Sequence, residues 1–414
     1  VIFTFFPASD MFFPRLALVS ALVFNALVPA RADWLNFRGP QGSGFDPAAA
    51  QTPAELSDKT LAWKIPLPGR GLGSAIVVGD KVFVTAASGP EQQQLHVLCF
   101  AVKDGAPLWE RRFWATGRTM SHNKTNVAAP TPASDGERIY ALYSSNDLVC
   151  LDLEGNLIWM RALTLDYPNA SNSLGLASSP IVVGDTLVAQ IENDSESFAA
   201  GFDLLTGVNK WKLDRPKSAN WTSPTVVIKD GESIVALQGS DGILGLLPST
   251  GSEMFKVAGG ASTIPSSAAS GDQLFIPSNG LTAVKIGVSD VTPEKVWNEA
   301  NERPGTASPL VVGEKVYLIN NAGVLTCIAR GTGARVWRTR IEGPFSGSPV
   351  AGAGDRLFIF GETGIGQVVD LSGEEGKIVS KIELGETILS TPALSDGALY
   401  IRSDGHLWKF SGAL

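Results

Sequence analysis

Only three histidines and three cysteines occur in the 414 residues of this chain. His96, His122 and His406 are too scattered to form a recognisable metal triad. No Gly-x-Ser-x-Gly elbow, phosphate-binding loop, His-Glu-x-x-His pair or EF-hand loop is present. The common nucleophile, phosphate and metal chemistries therefore have no sequence support. Charged residues make up 18% of the chain, below the usual share of about 25%. The formal net charge of −8 argues against a nucleic-acid partner. The longest apolar run near the N-terminus, residues 16–28, has 13 residues, too few to span a bilayer.

Glycine (44) and tryptophan (10) are plentiful, and they are periodic. An aromatic sits four residues after a Gly at Gly105/Trp109, Gly155/Trp159, Gly207/Trp211, Gly251/Phe255 and Gly333/Trp337. A small residue or Pro then opens an apolar run at Ala75, Pro132, Pro180, Pro224, Ser267, Pro309, Pro349 and Pro392. The spacings between these anchors are 57, 48, 44, 43, 42, 40 and 43. After each anchor come an apolar run, a Gly/Asp turn and a second apolar run, which is a hairpin signal. A third run and the aromatic run follow, making four strands per unit. Four-stranded units at this period specify an all-β, eight-bladed β-propeller of antiparallel blades.

The last unit has only three strands of its own. Trp63 lies in an apolar run before the first anchor, 12 residues ahead of Ala75. The strand around Trp63 is therefore expected to complete the last blade and close the ring, leaving no open sheet edge. Two units break the aromatic pattern. The fifth has Trp297 without the Gly turn, and the seventh has Ser380 in the aromatic place. The tryptophans are expected to be packing anchors between neighbouring sheets.

The cysteines Cys99, Cys150 and Cys327 lie 10, 9 and 10 residues before their unit's Trp. They share one structural position on three blades. That is too far apart for the Cα separation of about 4.4–6.8 Å that a disulfide needs, so they are expected to be free and buried.

The N-terminus reads as a signal peptide. Met11 and Arg15 begin it, residues 16–28 form its apolar core, and Ala30-Arg31-Ala32 supplies a small-x-small cleavage site. The ten residues before Met11 are expected to precede the true start. Cleavage after Ala32 would remove Asp10, Arg15 and Arg31 and take the charge from −8 to −9. The expected organisation is 1–32 start region and signal peptide, 33–58 N-terminal extension and 59–414 propeller. The product is expected in the periplasm or outside the cell, as a monomer with no transmembrane segment.

Six of the eight aromatic-to-anchor distances are 12 or 13, but Trp109 to Pro132 is 23 and Trp159 to Pro180 is 21. Two adjacent connections on one face of the ring are thus longer and polar. They carry Arg118, His122, Asn123 and Lys124, and then Asp166, Tyr167, Asn169 and Asn172. Shorter loops on that face add Arg215, Asn220, Trp221, Arg303 and the neighbourhood of Arg402. Loops on a rigid scaffold carry function more often than the scaffold itself. This set is the candidate partner-binding surface, and no catalytic or metal residue is expected.

The Gly-x-x-x-Trp unit at this period resembles the pyrroloquinoline-quinone (PQQ) type repeat over roughly residues 59–410. That repeat occurs in quinoprotein alcohol dehydrogenases and in the outer-membrane assembly factor BamB. The opening Asp33-Trp34-Leu35-Asn36-Phe37-Arg38-Gly39-Pro40 is similar to that of exported PQQ-like propellers of planctomycete-type bacteria. The dehydrogenase resemblance implies PQQ beside Ca²⁺ under a vicinal disulfide. No two cysteines are adjacent here, and no carboxylate ligand matches by motif. The BamB resemblance implies a noncatalytic scaffold whose partner is a protein or cell-envelope polymer, and no cofactor is expected. The alternatives are a PQQ-dependent dehydrogenase-like enzyme with calcium and a carbohydrate-binding propeller using Trp221 and Tyr167.

Overall fold

A computed structural model describes residues 33–49, 52–171, 173–287 and 292–412. The signal-peptide reading of 1–32 and the candidate Asn172 lie outside the described residues. Eight sheets follow one another along the chain, each ordered sequentially from the inner to the outer strand. Blade 1 is Ile76–Val78, Lys81–Ser88, Gln94–Ala101 and Pro107–Trp114. The eighth blade combines Ala393–Ser395, Ala398–Arg402 and His406–Ser411 with Leu61–Pro66. Leu61–Pro66 pairs antiparallel with His406–Ser411, so the strand carrying Trp63 does close the ring. The protein is an all-β, eight-bladed propeller.

The strand chemistry follows from radial position. Inner and middle strands are covered on both faces by neighbouring blades, so they read as unbroken apolar runs such as Leu310–Val312. Six of the eight outer strands have one buried position among more exposed ones. In Arg335–Arg340 that position is Trp337. Four two-residue inner turns place Gly first with positive φ, as at Gly79 (φ 56°), the requirement of a II′ hairpin, while Asp230-Gly231 and Asp396-Gly397 have positive φ at both residues, the I′ pattern.

The Gly-to-Trp spacing has a direct cause. A Trp packs not on its own blade's Gly but on that of the next blade. A Cβ at Gly155 would stand 2.7 Å from the Trp109 ring, and one at Gly207 2.7 Å from that of Trp159. The indole N–H then donates to a carbonyl beside that Gly: Trp109 Nε1 to Leu153 O at 2.9 Å and Trp159 Nε1 to Leu204 O at 2.9 Å. The repeat is therefore a blade-to-blade latch. Across the outer strand pair, Cys99, Cys150 and Cys327 stand opposite Trp109, Trp159 and Trp337. All three are free and buried, and burial pushes their thiols up to about 12, 12 and 11.

The exception at Ser380 is also explained. Its hydroxyl accepts from Leu56 N at 2.9 Å and donates to Leu56 O at 3.3 Å, and Leu56 is buried. The N-terminal extension docks where the other blades hold an aromatic.

Upstream of Leu56 the same extension enters the channel. Trp34 is fully buried and exchanges two backbone hydrogen bonds with Val77 of blade 1. Leu35 O accepts from Ser134 N of blade 2. At the other end, Phe45–Asp46 adds a fifth, parallel strand beside Val350–Gly352 of blade 7. Between them, Arg38 and Gln41 take positive φ (61° and 58°), and Gly39 must lack a Cβ because one would stand 2.5 Å from the Trp34 ring. This coil crosses the channel as a plug.

Candidate functional site

The long loops and the plug bound a cup at the channel mouth, with a cavity of about 420 Å³. Its base is a belt of hydroxyls that precede or occupy the strand anchors. Around the ring, each Oγ accepts the backbone N–H of the residue at the same place one blade earlier. Ser74 N donates to Thr131, Thr131 N to Ser179, Ser179 N to Ser223 and Ser223 N to Ser266, each at 2.9 Å. The belt continues from Ser266 N to Ser308 (2.9 Å), Ser308 N to Ser348 (3.0 Å) and Ser348 N to Thr391 (2.9 Å). It is open only at the seam, where the buried Ser74 hydroxyl has no partner. All seven accepting hydroxyls line the cup.

Phe37 of the plug also lines the cup. Beside it, Arg38 is fully buried. Its guanidinium donates to Ser267 O (3.2 Å), Ser43 O (3.0 Å) and Pro309 O. Two of these carbonyls belong to the residues that directly follow Ser266 and Ser308 of the belt. Among the described residues no carboxylate compensates it, and burial pulls its pKa down to about 9. Arg402 is equally buried at the seam. It donates to Gly73 O (3.2 Å) and Thr85 O (2.6 Å), and burial likewise pulls it down to about 9. Above the belt the walls are apolar: Leu72, Leu174, Ile264, Leu389 and Trp221. No Asp or Glu lines the cup.

Of the sequence candidates, His122, Lys124 and Trp221 come together at the cup. Lys124 Nζ is 2.9 Å from Glu362 Oε2 across the rim. Trp221 is fixed from two sides: Nε1 donates to Gly175 O at 2.9 Å, and its backbone N to Thr263 O at 2.8 Å. Arg118 and Asn123 are exposed on the same loop but do not line the cup. The second long loop is used differently. Asp166 pairs with Arg161, and the Tyr167 ring sits 4.5 Å from that of Phe198 while its hydroxyl accepts from Asn209. Asn169 O takes the N–H groups of Ser171 and Glu196. Tyr167 and Asn169 fasten the loop to blade 3 and Asp166 to the outer strand of blade 2, and its later residues Leu174 and Ala177 reach the cup. Arg303 stays outside the cup, exposed, its Nε donating to Ala300 O.

Arg215 and Asn220 belong to a buried network. Glu192 Oε1 accepts from Arg215 Nε (2.6 Å) and Gln190 Nε2 (2.8 Å), and Oε2 from Asn220 Nδ2 (2.9 Å). This network holds the loop that presents Trp221.

The two strand histidines are structural. His96 Nδ1 is 2.6 Å from Glu110 Oε1 and Nε2 is 2.7 Å from Ser88 Oγ. His406 Nδ1 is 2.5 Å from Glu386 Oε1. Among the described residues no three His, Cys, Asp or Glu side chains gather to hold a metal. Hydrogen bonding from Arg112, with further help from His96, lowers the Glu110 pKa to about 2. A depressed carboxylate stabilises the fold above its unfolded pKa of about 4.3 and loses that contribution as pH falls through its folded value. Thermal unfolding followed between pH 5 and 2 should show a shallower acid loss for Glu110→Gln than for the unaltered protein.

Sequence reasoning did not identify the belt, the plug or the Glu192 network. The belt did leave a signal, a Ser or Thr immediately before each of the eight anchors. No helix among the described residues is long and apolar enough to cross a membrane.

The family described as outer membrane protein assembly factor BamB matches residues 51–191, 115–263 and 321–413. A polyvinylalcohol dehydrogenase of Pseudomonas sp. is 25% identical over 260 residues, 51% of this chain and 38% of that protein. BamB of Burkholderia pseudomallei is 30% identical over 121 residues, 28% of this chain and 31% of that protein. The aligned parts thus span under two fifths of these relatives. Among solved structures, BamB from Moraxella catarrhalis superposes with a TM-score of 0.63 at 16% identity, over 85% of this chain and 97% of that one. A europium-containing methanol dehydrogenase superposes with a TM-score of 0.69 at 12% identity, over 92% and 98%. At these identities the structural matches speak for the fold alone. With the family match extending over most of the propeller, this chain belongs to the BamB family of PQQ-like repeat β-propellers.

Proposed function

We propose that this protein is an exported, noncatalytic propeller scaffold that holds a protein or other cell-envelope partner against its loop face. The observation that carries this reading is the cup itself. Its lining pairs apolar walls with hydroxyls, and it offers no carboxylate, nucleophile–base pair or metal cluster to drive a reaction. The BamB relatives, named as outer-membrane assembly factors, support a partner in the envelope.

The dehydrogenase relative keeps a second reading testable. Ca²⁺ takes oxygen ligands, carboxylates foremost, and the resemblance to quinoprotein dehydrogenases implies PQQ beside that ion. The cup supplies hydroxyls and apolar carbons, so its residues do not fit a PQQ–calcium pair. Adding PQQ and Ca²⁺ to purified protein should leave no bound chromophore and no dye reduction with alcohols. Either signal would revive the enzyme reading.

The scaffold reading is tested by replacing Arg118, His122 and Lys124 together with Ala. All three are exposed, and the one ion pair lost, Lys124–Glu362, is a surface pair worth about 0–1 kcal/mol. Thermal stability should stay within a few degrees while capture of an envelope partner from membrane extracts falls. Undiminished capture counts against the loop face as the contact surface.

A further inference from the structure

The belt has a chemical polarity that the fold does not require. Each of its seven hydroxyl oxygens accepts an N–H from the neighbouring blade. A hydroxyl carries one hydrogen to donate, and among the described residues no side chain or carbonyl takes any of these seven. The base of the cup is therefore a ring of donors.

The surroundings share that sign. Two fully buried guanidinium groups flank the inner strands, and neither forms an ion pair with a carboxylate at hydrogen-bonding distance. Arg38 holds carbonyls one residue beyond the belt, and Arg402 holds the carbonyl one residue before Ser74. Among the described residues Arg38 Nε and Arg402 Nε and Nη2 have no hydrogen-bond partner. A buried charge is normally paired, so two unpaired cations beside a donor ring make a locally positive site. The chain as a whole carries a net charge of −8, which makes the local excess more pointed. Above this base the walls are apolar, and the volume of about 420 Å³ is within the range of about 300–1,000 Å³ for small-ligand sites.

A ligand that matches has an acceptor-only anionic end and an apolar body next to it. We propose that the cup captures the free C-terminal carboxylate of a partner polypeptide ending in an apolar residue. The carboxylate meets the hydroxyl ring, and the last side chain lies against Leu174, Ile264 and Leu389. Terminal-carboxylate capture is an established recognition mode in other folds. A polypeptide fits better than a free fatty acid because the rim is polar. His122, Lys124 and Thr125 stand at the cup, where the emerging chain must leave it over the loop face. The proposal rests on the scaffold reading and names the partner's chemistry within it.

The test uses the whole chain and needs no destabilising variant. Isothermal titration is run with acetylated pentapeptides of four alanines ending in Leu or Phe, as free acids and as C-terminal amides, and with decanoate. The acids should bind, with the amides weaker by at least about tenfold, because hydrogen bonds to a charged acceptor are the strong ones. Ile264→Glu, on an exposed rim position, should remove the acid's binding by repulsion while leaving the unfolding temperature unchanged. Equal affinity of acid and amide, no peptide binding at millimolar concentration, binding of decanoate alone, or indifference to Ile264→Glu each overturns the proposal. If peptides fail while the Arg118/His122/Lys124 variant still loses its envelope partner, the scaffold reading stands and the terminal-carboxylate proposal falls. If peptides bind and that variant keeps its partner, the terminal-carboxylate proposal stands and Arg118, His122 and Lys124 are not part of the contact.

Discussion

Replacing Glu192 with Ala is expected to cost about 3–5 kcal/mol of stability, the range for stripping one partner from a buried ion pair. Glu192 and Arg215 are both almost wholly enclosed, with side-chain exposures of 1% and 3%. In the variant the guanidinium keeps its charge and loses its only close carboxylate. Asp241 is the next, at 4.0 Å and half in solvent. Asn220 and Gln190 lose an acceptor as well. Glu192→Gln keeps the shape and one acceptor oxygen, so a smaller loss is expected. Urea unfolding at constant m-value separates the two substitutions. Losses below 1 kcal/mol for both would mean that the pair is not what holds this loop. The consequence extends to the cup. The loop from Arg215 to Thr222 carries Trp221, and Asn220 ties it to Gln238 O at 2.7 Å. Trp221 emission should therefore shift in Glu192→Ala at denaturant concentrations too low to unfold the propeller.

The fold was readable because its unit repeats. Burial on both faces makes every inner strand a short apolar run, and the Trp latch demands a Gly at one fixed offset. The exceptions were readable only in part. Ser380 was visible as a gap in the aromatic series, but its partner Leu56 lies 324 residues away in chain order and has no period to announce it. The plug was hidden for the same reason. A single pass of Trp34 to Asp46 through the channel has no second copy to compare with, although its buried Arg38 shapes the site. The hydroxyl belt stood in plain view as Ser and Thr before the anchors. Sequence spacing gave their equivalence but not that one residue's N–H meets the next residue's Oγ around the channel, from Ser74 to Thr391. The polar second loop shows a different limit. Tyr167 and Asn169 look like contact residues by composition, yet the Tyr167 ring packs on Phe198 and the Asn169 carbonyl bonds to Glu196, so both also fasten the loop to the scaffold. Polarity in a loop marks solvent or hydrogen bonding without distinguishing a partner from the scaffold's own edge.

Trp159→Ala is expected to lose a further 3–5 kcal/mol or so, the usual cost of deleting a large buried aromatic. Trp159 is 9% exposed, lies with its ring centroid 6.0 Å from that of Tyr140, and donates to Leu204 O of the next blade. Trp159→Phe separates the components. It keeps most of the packing but drops the indole N–H, so about 1 kcal/mol of the loss should come from that bond. The latch also makes a prediction about coupling. Gly207→Ala carries two penalties in the unaltered protein: a positive φ of 68° and a Cβ 2.7 Å from the Trp159 ring. Only the backbone penalty, about 1–2 kcal/mol, survives once the indole is gone. The double variant should therefore be less destabilised than the sum of its parts, by the energy of the clash. Strict additivity in guanidinium unfolding would show that the ring moves aside at no cost. The fixed Gly-to-Trp spacing would then need a cause other than contact between blades.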